Sequence, residues 1–237
     1  MDAVARAGWE RADVEEDKPK RSPKKRPRKG KVKVDTSELQ AAVGERRAQR
    51  LSKLLANGAE AFSAERYEEA RKALRPVAEE APDAASVREL YGLTLYRLGR
   101  WAAAVDELEA FRAKTGSTEQ NPVLADCYRA LRRYDDVDEV WRELRDASPS
   151  ADLVTEGRIV AAGALADRGE LDKALELLGR RFEPPARAAE HHVRRAYALA
   201  DLYERAGDVP HARRLFQRVQ GFDPDYADVA DRLASLG

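Results

Sequence analysis

The sequence predicts an all-α chain, a right-handed α-α superhelical solenoid of about five helix pairs, and three observations predict it. From residue 51 onward, helical stretches of about a dozen residues alternate with short breaks at Gly and Pro, without a sustained period-two run of Val, Ile and Thr that would make a strand. Similar tetrapeptides recur: Tyr67-Glu68-Glu69-Ala70, Trp101-Ala102-Ala103-Ala104, Tyr134-Asp135-Asp136-Val137, Leu171-Asp172-Lys173-Ala174 and Val209-Pro210-His211-Ala212, at spacings of about 34, 33, 37 and 38 residues. A period near 34 is that of a paired-helix repeat. Small residues also return where two helices must cross, among them Gly58, Gly92, Ala70 and Ala104.

Taken in chain order, residues 1–34 read as tail. The leader 1–17 holds Val4, Trp9 and Val14 among six acidic and two basic residues, and reads as a translation-start segment or a motif centred on Trp9. Residues 18–34 hold ten basic residues and no acid: Lys18, Lys20, Arg21, Lys24, Lys25, Arg26, Arg28, Lys29, Lys31 and Lys33, interrupted by Pro19, Pro23 and Pro27. Such a strip has almost nothing apolar to bury, and disorder is its expected state. Ser37 with Gln40 fits a capping box, so a helical extension over 35–50 is expected to begin there and to cover one end of the array.

The five repeats occupy 51–226. The first, 51–84, has Gly58, Ala70 and the closing Pro82; the second, 85–117, has Tyr91-Gly92, the turn Gly99-Arg100-Trp101, Ala104 and Phe111. The third, about 118–151, keeps Leu124-Ala125, Tyr128, Trp141 and Pro149 but places Val137 where a small alanine is expected. The fourth, about 155–188, has Ala161-Ala162, Gly169 and Ala174 and ends atypically in Glu183-Pro184-Pro185. The fifth, about 193–226, has Leu199-Ala200, Tyr203, Gly207, Ala212, Phe216 and Pro224, and 227–237, with Val229, Leu233 and Leu236 at helical spacing, is expected to be a C-terminal capping helix.

These residues resemble the tetratricopeptide repeat (TPR), and the resemblance covers roughly residues 51–226. It implies that the first helix of each pair lines a concave groove that receives an extended peptide or a partner helix. By repeat position the groove candidates are Leu55 and Phe62; Glu89, Leu93, Tyr96 and Arg97; Asp126 and Arg129; Ile159; and Tyr197, Asp201 and Glu204. Members that clamp a chaperone's terminal carboxylates carry Lys and Asn where this chain has Leu55 and Ala59, so that clamp is not expected. The resemblance therefore implies a non-enzymatic interaction scaffold or adaptor whose partner is a protein or peptide segment.

Composition bounds the alternatives. The 237 residues are 36% charged and 7% aromatic, and 43 basic residues balance 43 acidic ones. That balance hides a partition: the strip 18–34 carries +10, and 35–237 carries −6. Ten charges on a flexible strand attract phosphates through counterion release, so RNA or ribosome contact through the strip is the alternative function. Merging of Arg88, Arg97, Arg129, Arg132 and Arg133 into one positive stripe would favour it. The strip also fits a solubilising tail, an anionic-membrane contact, an import signal, or a segment that folds back on the acidic body.

Cys127 is the single cysteine, which excludes an internal disulfide and Cys-rich zinc arrangements. His191 and His192 are neighbours in sequence and point about 100° apart on a helix, so they do not converge on a metal. No phosphate loop, dinucleotide turn or nucleophile elbow is present, and neither catalysis nor a cofactor or metal is expected. The first residues lack a signal-peptide core, and Ile159–Ala166 is too short to span a bilayer, so a cytoplasmic protein is expected. Heavy use of Ala, Arg, Asp and Glu, with few Lys outside the strip, resembles the proteins of high-GC bacteria such as actinobacteria.

Overall fold

In the computed structural model the described residues are 37–237, and all of their regular structure is helical. The leader 1–17 and the basic strip 18–34 lie outside them. The chain divides into two compact units at Arg132/Arg133.

Unit 1 contains α1 (Ser37–Val43), α2 (Glu45–Ser63), α3 (Tyr67–Glu80), α4 (Ala85–Arg97), α5 (Trp101–Thr115) and α6 (Asn121–Ala130). Its helices pack in sequence, α2 on α3, α3 on α4, α4 on α5 and α5 on α6. The close crossings depend on missing side chains. A Cβ added to Gly58 would stand 2.5 Å from Leu74 Cγ, and one added to Gly92 would stand 2.8 Å from Leu108 Cγ, so each glycine lets the second helix of its pair seat a leucine directly against the first. Leu39, Leu51, Leu55, Leu74, Val77 and Val87 are buried in one cluster that ties α1 to α2, α3 and α4.

The sequence expected one helical extension over 35–50. Instead α1 ends at Val43, and α2 already begins at Glu45. Between them Gly44 adopts φ 75° and ψ 162°, a combination essentially restricted to glycine, which turns α1 back onto the unit.

Unit 2 contains α7 (Tyr134–Ala147), α8 (Ala151–Asp167), α9 (Leu171–Gly179), α10 (Glu190–Arg205), α11 (Val209–Phe222) and α12 (Val229–Ser235). Here α8 packs on α7, α9 and α10, α10 packs on α11, and α12 closes on α11. Ser150 caps α8 by accepting from the Leu153 amide at 3.2 Å, and Asp208 caps α11 by accepting from the His211 amide at 3.2 Å. The atypical end of the fourth repeat is a short helix: α9 stops at Gly179, and Pro184-Pro185 sit in the irregular stretch before α10.

The five recurring tetrapeptides mark the starts of α3, α5, α7, α9 and α11. The fourth residue of each, Ala70, Ala104, Val137, Ala174 and Ala212, is wholly buried. The repeat register read from the sequence is therefore the register of the helices.

Candidate functional site

The groove candidates occupy recurring offsets on the first helices, and the structure shows what holds each one. In unit 1, Leu55 lies in the core at 1% exposure, and Leu93 is buried as well. Phe62 is half-buried and meets the Tyr67 ring edge-on at 5.5 Å. Tyr96 is 5% exposed, packs edge-on against Trp101 at 5.5 Å and donates its hydroxyl to Asp126 Oδ2 at 2.9 Å. Arg129 reaches back to Asp126 Oδ1 at 3.9 Å, and Gln120 donates to Glu89 Oε1 at 2.8 Å. Arg97 stacks its guanidinium over Tyr67, 4.6 Å from the ring centre.

These contacts form rungs between consecutive first helices: a residue near the end of α4 bonds one in the middle of α6, and a residue early in α4 bonds the residue ahead of α6. Burial sets their electrostatics. The Tyr96 hydroxyl is pushed well above the usual phenol range by burial and by the adjacent Asp126 carboxylate. Glu89 is raised by burial, which outweighs its bond from Gln120. What remains accessible on this face is half-buried Glu89, Arg97 and Arg129.

Unit 2 repeats the pattern. Ile159 is buried, and Tyr197 is 1% exposed between Phe216, at 5.3 Å, and Tyr226, at 5.5 Å, with its hydroxyl donated to Asp228. Asp201 and Glu204 are bridged by Arg232 of α12 at 2.6 and 2.7 Å, and Arg194 of α10 bonds Glu156 of α8 at 2.6 Å. Burial is the main reason that Glu156 is pushed up to about 7; Glu190 and Asp152 act in the same direction, and Arg194 opposes them.

The candidates brought together directly are Tyr96 with Asp126 and Asp126 with Arg129 in unit 1, and Asp201 with Glu204 through Arg232 in unit 2. The rings of Phe62, Tyr96 and Tyr197 each pack edge-on against another aromatic ring of their own unit, those of Tyr67, Trp101 and Phe216. Sequence reasoning missed Gln120, Glu156, Arg194, Asp228 and Arg232. Arg232 lies in α12, beyond the fifth repeat, where the repeat offsets do not reach.

Among the described residues no group of three or more His, Cys, Asp and Glu is placed to hold a metal. His191 pairs with Asp152, and His211 sits at a helix start with Nδ1 2.8 Å from Asp208. Cys127 is buried, and burial pushes its thiol up, away from the reactive thiolate. No described helix is long and apolar enough to cross a membrane.

This architecture has solved counterparts. A thermophilic TPR protein of Thermus thermophilus superposes with a TM-score of 0.59 at 22% identity, covering 78% of this chain and 98% of its own. MamA MSR-1 C2 superposes with a TM-score of 0.52 at 21% identity, covering 75% of this chain and 99% of its own. No curated protein matches the sequence. Residues 55–118, from the middle of α2 to the loop after α5, match the family model of the tetratricopeptide repeat, and the fold around them is similar to that of TPR proteins.

Proposed function

We propose that the protein is an interaction scaffold that binds a peptide or helical segment of a protein partner through the first helices of its repeats. One observation carries the reading: in unit 1, Glu89, Arg97 and Arg129 stand half-exposed and each is already held, Glu89 by Gln120, Arg97 over the Tyr67 ring and Arg129 by Asp126. Side chains fixed before binding lose little freedom on binding, and a face carrying both signs of charge selects a complementary segment. In unit 1, Leu55, Leu93, Tyr96 and Asp126 support this face from within and Phe62 lies at its half-buried margin; on the first helices of unit 2, Ile159 and Tyr197 are buried and Asp201 and Glu204 are half-buried. The scaffold reading includes no catalytic step and no cofactor, and it assigns the protein to the cytoplasm.

The full-length chain and its Arg97→Ala/Arg129→Ala variant, used as bait in lysate of the source cells, test the reading. The variant should lose at least tenfold of the partner recovered by the wild type, with unchanged helical circular dichroism. Equal recovery would remove the face from the binding site.

A second reading rests on the ten Lys and Arg of residues 18–33, which suit an electrostatic contact with RNA or the ribosome. Against a positive stripe continuing along unit 1, Arg88 is paired with Glu107 and Arg129 with Asp126. Co-sedimentation of the same preparations with ribosomes across a salt series separates the two readings. Salt-sensitive sedimentation indifferent to Arg97→Ala/Arg129→Ala would favour the strip.

A further inference from the structure

A cleft of about 370 Å³ opens in unit 1 where α3, α4 and α5 meet. Its floor is apolar, made by buried Ala78 and Leu95 and half-buried Tyr91. The volume falls in the range of pockets that hold a small ligand or a few side chains.

The rim of the cleft carries surplus negative charge. Arg75 Nε is bonded to Glu79 Oε1 at 2.8 Å and Arg88 Nη1 to Glu107 Oε2 at 2.5 Å, so both cations of the lining are matched by acids of the same lining. Asp106 is the third acid. It is exposed, and among the described residues none gives it a hydrogen bond or an ion pair.

The chain itself brings a basic segment to this place. Glu38, the second residue of α1, is bonded to the amide and the hydroxyl of Ser86, in the first turn of α4. Arg88 and Pro82, which border the cleft, flank Ser86 in the sequence, and Arg88 Nε donates to the Pro82 carbonyl at 3.0 Å. The chain therefore enters the unit beside the cleft. Pro27 lies ten residues before Ser37, and a chain of ten residues spans roughly 17 Å as a coil and at most roughly 35 Å when extended. So short a connection presents the basic strip to the cleft at a millimolar effective concentration.

We propose that this cleft is the docking site of the chain's own basic strip, with Pro27 seated on Tyr91 and Leu95 and one of its flanking arginines, Arg26 or Arg28, paired with Asp106. Apart from Val32, the apolar side chains of residues 18–33 are prolines, whose fixed φ lowers the cost of ordering and whose rings suit aromatic-lined grooves. The leader 1–17 does not compete, because its six acids against two bases give it the sign of Asp106. A docked strip is withheld from polyanions, and salt loosens it, since the pairing is made at the surface. The cleft shares no residue with the first-helix face proposed above.

Paramagnetic relaxation in the full-length protein tests the docking. A nitroxide is attached at Ser22→Cys, the native Cys127 being buried and left unlabelled. At low salt the label should broaden the amide signals of Ala103 and Asp106 about threefold or more beyond those of Glu60 and Glu109, exposed positions outside the cleft. Asp106→Arg sets a like charge where the arginine seats, and Pro27→Gly leaves the folded unit untouched. Each should remove most of the excess at Ala103. Equal broadening at the cleft and at the outside positions, or an excess that survives either substitution, would overturn the docking and leave the cleft to a foreign segment.

Mixing nitroxide-bearing chains with isotope-labelled chains that carry no nitroxide separates the copies. No excess broadening in the mixture is expected. An excess there would assign the cleft to the strip of a second copy and overturn docking within one chain.

Discussion

At Gly99, Gly169 and Gly207 the backbone passes from a first helix to a second with φ of 69°, 83° and 76°, and the equivalent Glu65 and Arg132 adopt φ of 58°. Left-handed backbone costs a residue with a side chain about 1–2 kcal/mol. Gly99→Ala should therefore destabilise by about that amount, because the new Cβ meets only the Trp101 ring at 3.6 Å, an ordinary contact, and the cost is purely conformational. Glu65→Gly should act in the opposite direction. The strain released exceeds the added unfolded-chain entropy of about 0.4–1 kcal/mol, leaving a gain of a few tenths to about 1 kcal/mol. Urea denaturation of both variants checks the pair, and a Gly99→Ala midpoint no lower than the wild type's together with a Glu65→Gly midpoint below it would show that the turn carries no strain. The sequence identified the three glycines by type and passed over Glu65 and Arg132, because only the repeat register, and not residue type, marks those turns.

At the level of elements, α1 is seven residues long, too short to be stable alone, and the unit holds it at two points. Leu39 is wholly buried. Glu38 Oε2 accepts from the backbone amide of Ser86 at 3.0 Å and from its hydroxyl at 2.8 Å. Helix α4 needs that acceptor because Ala84, its N-cap residue, has no side-chain oxygen. Helix α1 thus caps α4 from 48 positions away in sequence. Glu38→Ala should cost about 1 kcal/mol, the usual loss for an N-cap, and should speed hydrogen exchange at the Ser86 amide, while Glu38→Gln should lose less. Unchanged exchange at Ser86 would show that the cap is not formed in solution. The start of α1 was legible at Ser37, since capping preferences act within one turn. Its role was not, since it depends on which helix end the fold brings to Glu38.

On the scale of the whole molecule, each unit has its own buried clusters, around Leu51, Leu74 and Val77 in unit 1 and around Ala162, Leu178 and Leu202 in unit 2. A repeat chain built this way does not need to unfold in one step. Leu178→Ala, which empties a site 1% exposed, should cost about 2–5 kcal/mol and raise amide exchange first in α8–α11, with a smaller rise in α2–α5. A uniform rise across both units would instead show a single cooperative block.

The sequence by itself determined what local rules control. Second helices begin at Tyr67, Trp101, Tyr134, Leu171 and Val209, and the fourth residue of each is small or β-branched and fully buried, because helix starts and close crossings are written into a few adjacent positions. The residues nominated for the groove by their offsets lie on α2, α4, α6, α8 and α10. Only the tertiary structure decided which of those residues face solvent, because the same stripe of a first helix serves both as seam to its neighbour and as surface. Leu55, Tyr96 and Tyr197 fall in the seam, and Glu89, Arg97 and Arg129 fall at its edge. The charges were equally visible in the sequence, but their partners were not. Whether an arginine meets a carboxylate, as Arg88 does, or a tryptophan ring, as Arg158 does, depends on what the neighbouring helix presents at the same height, and packing alone sets that height.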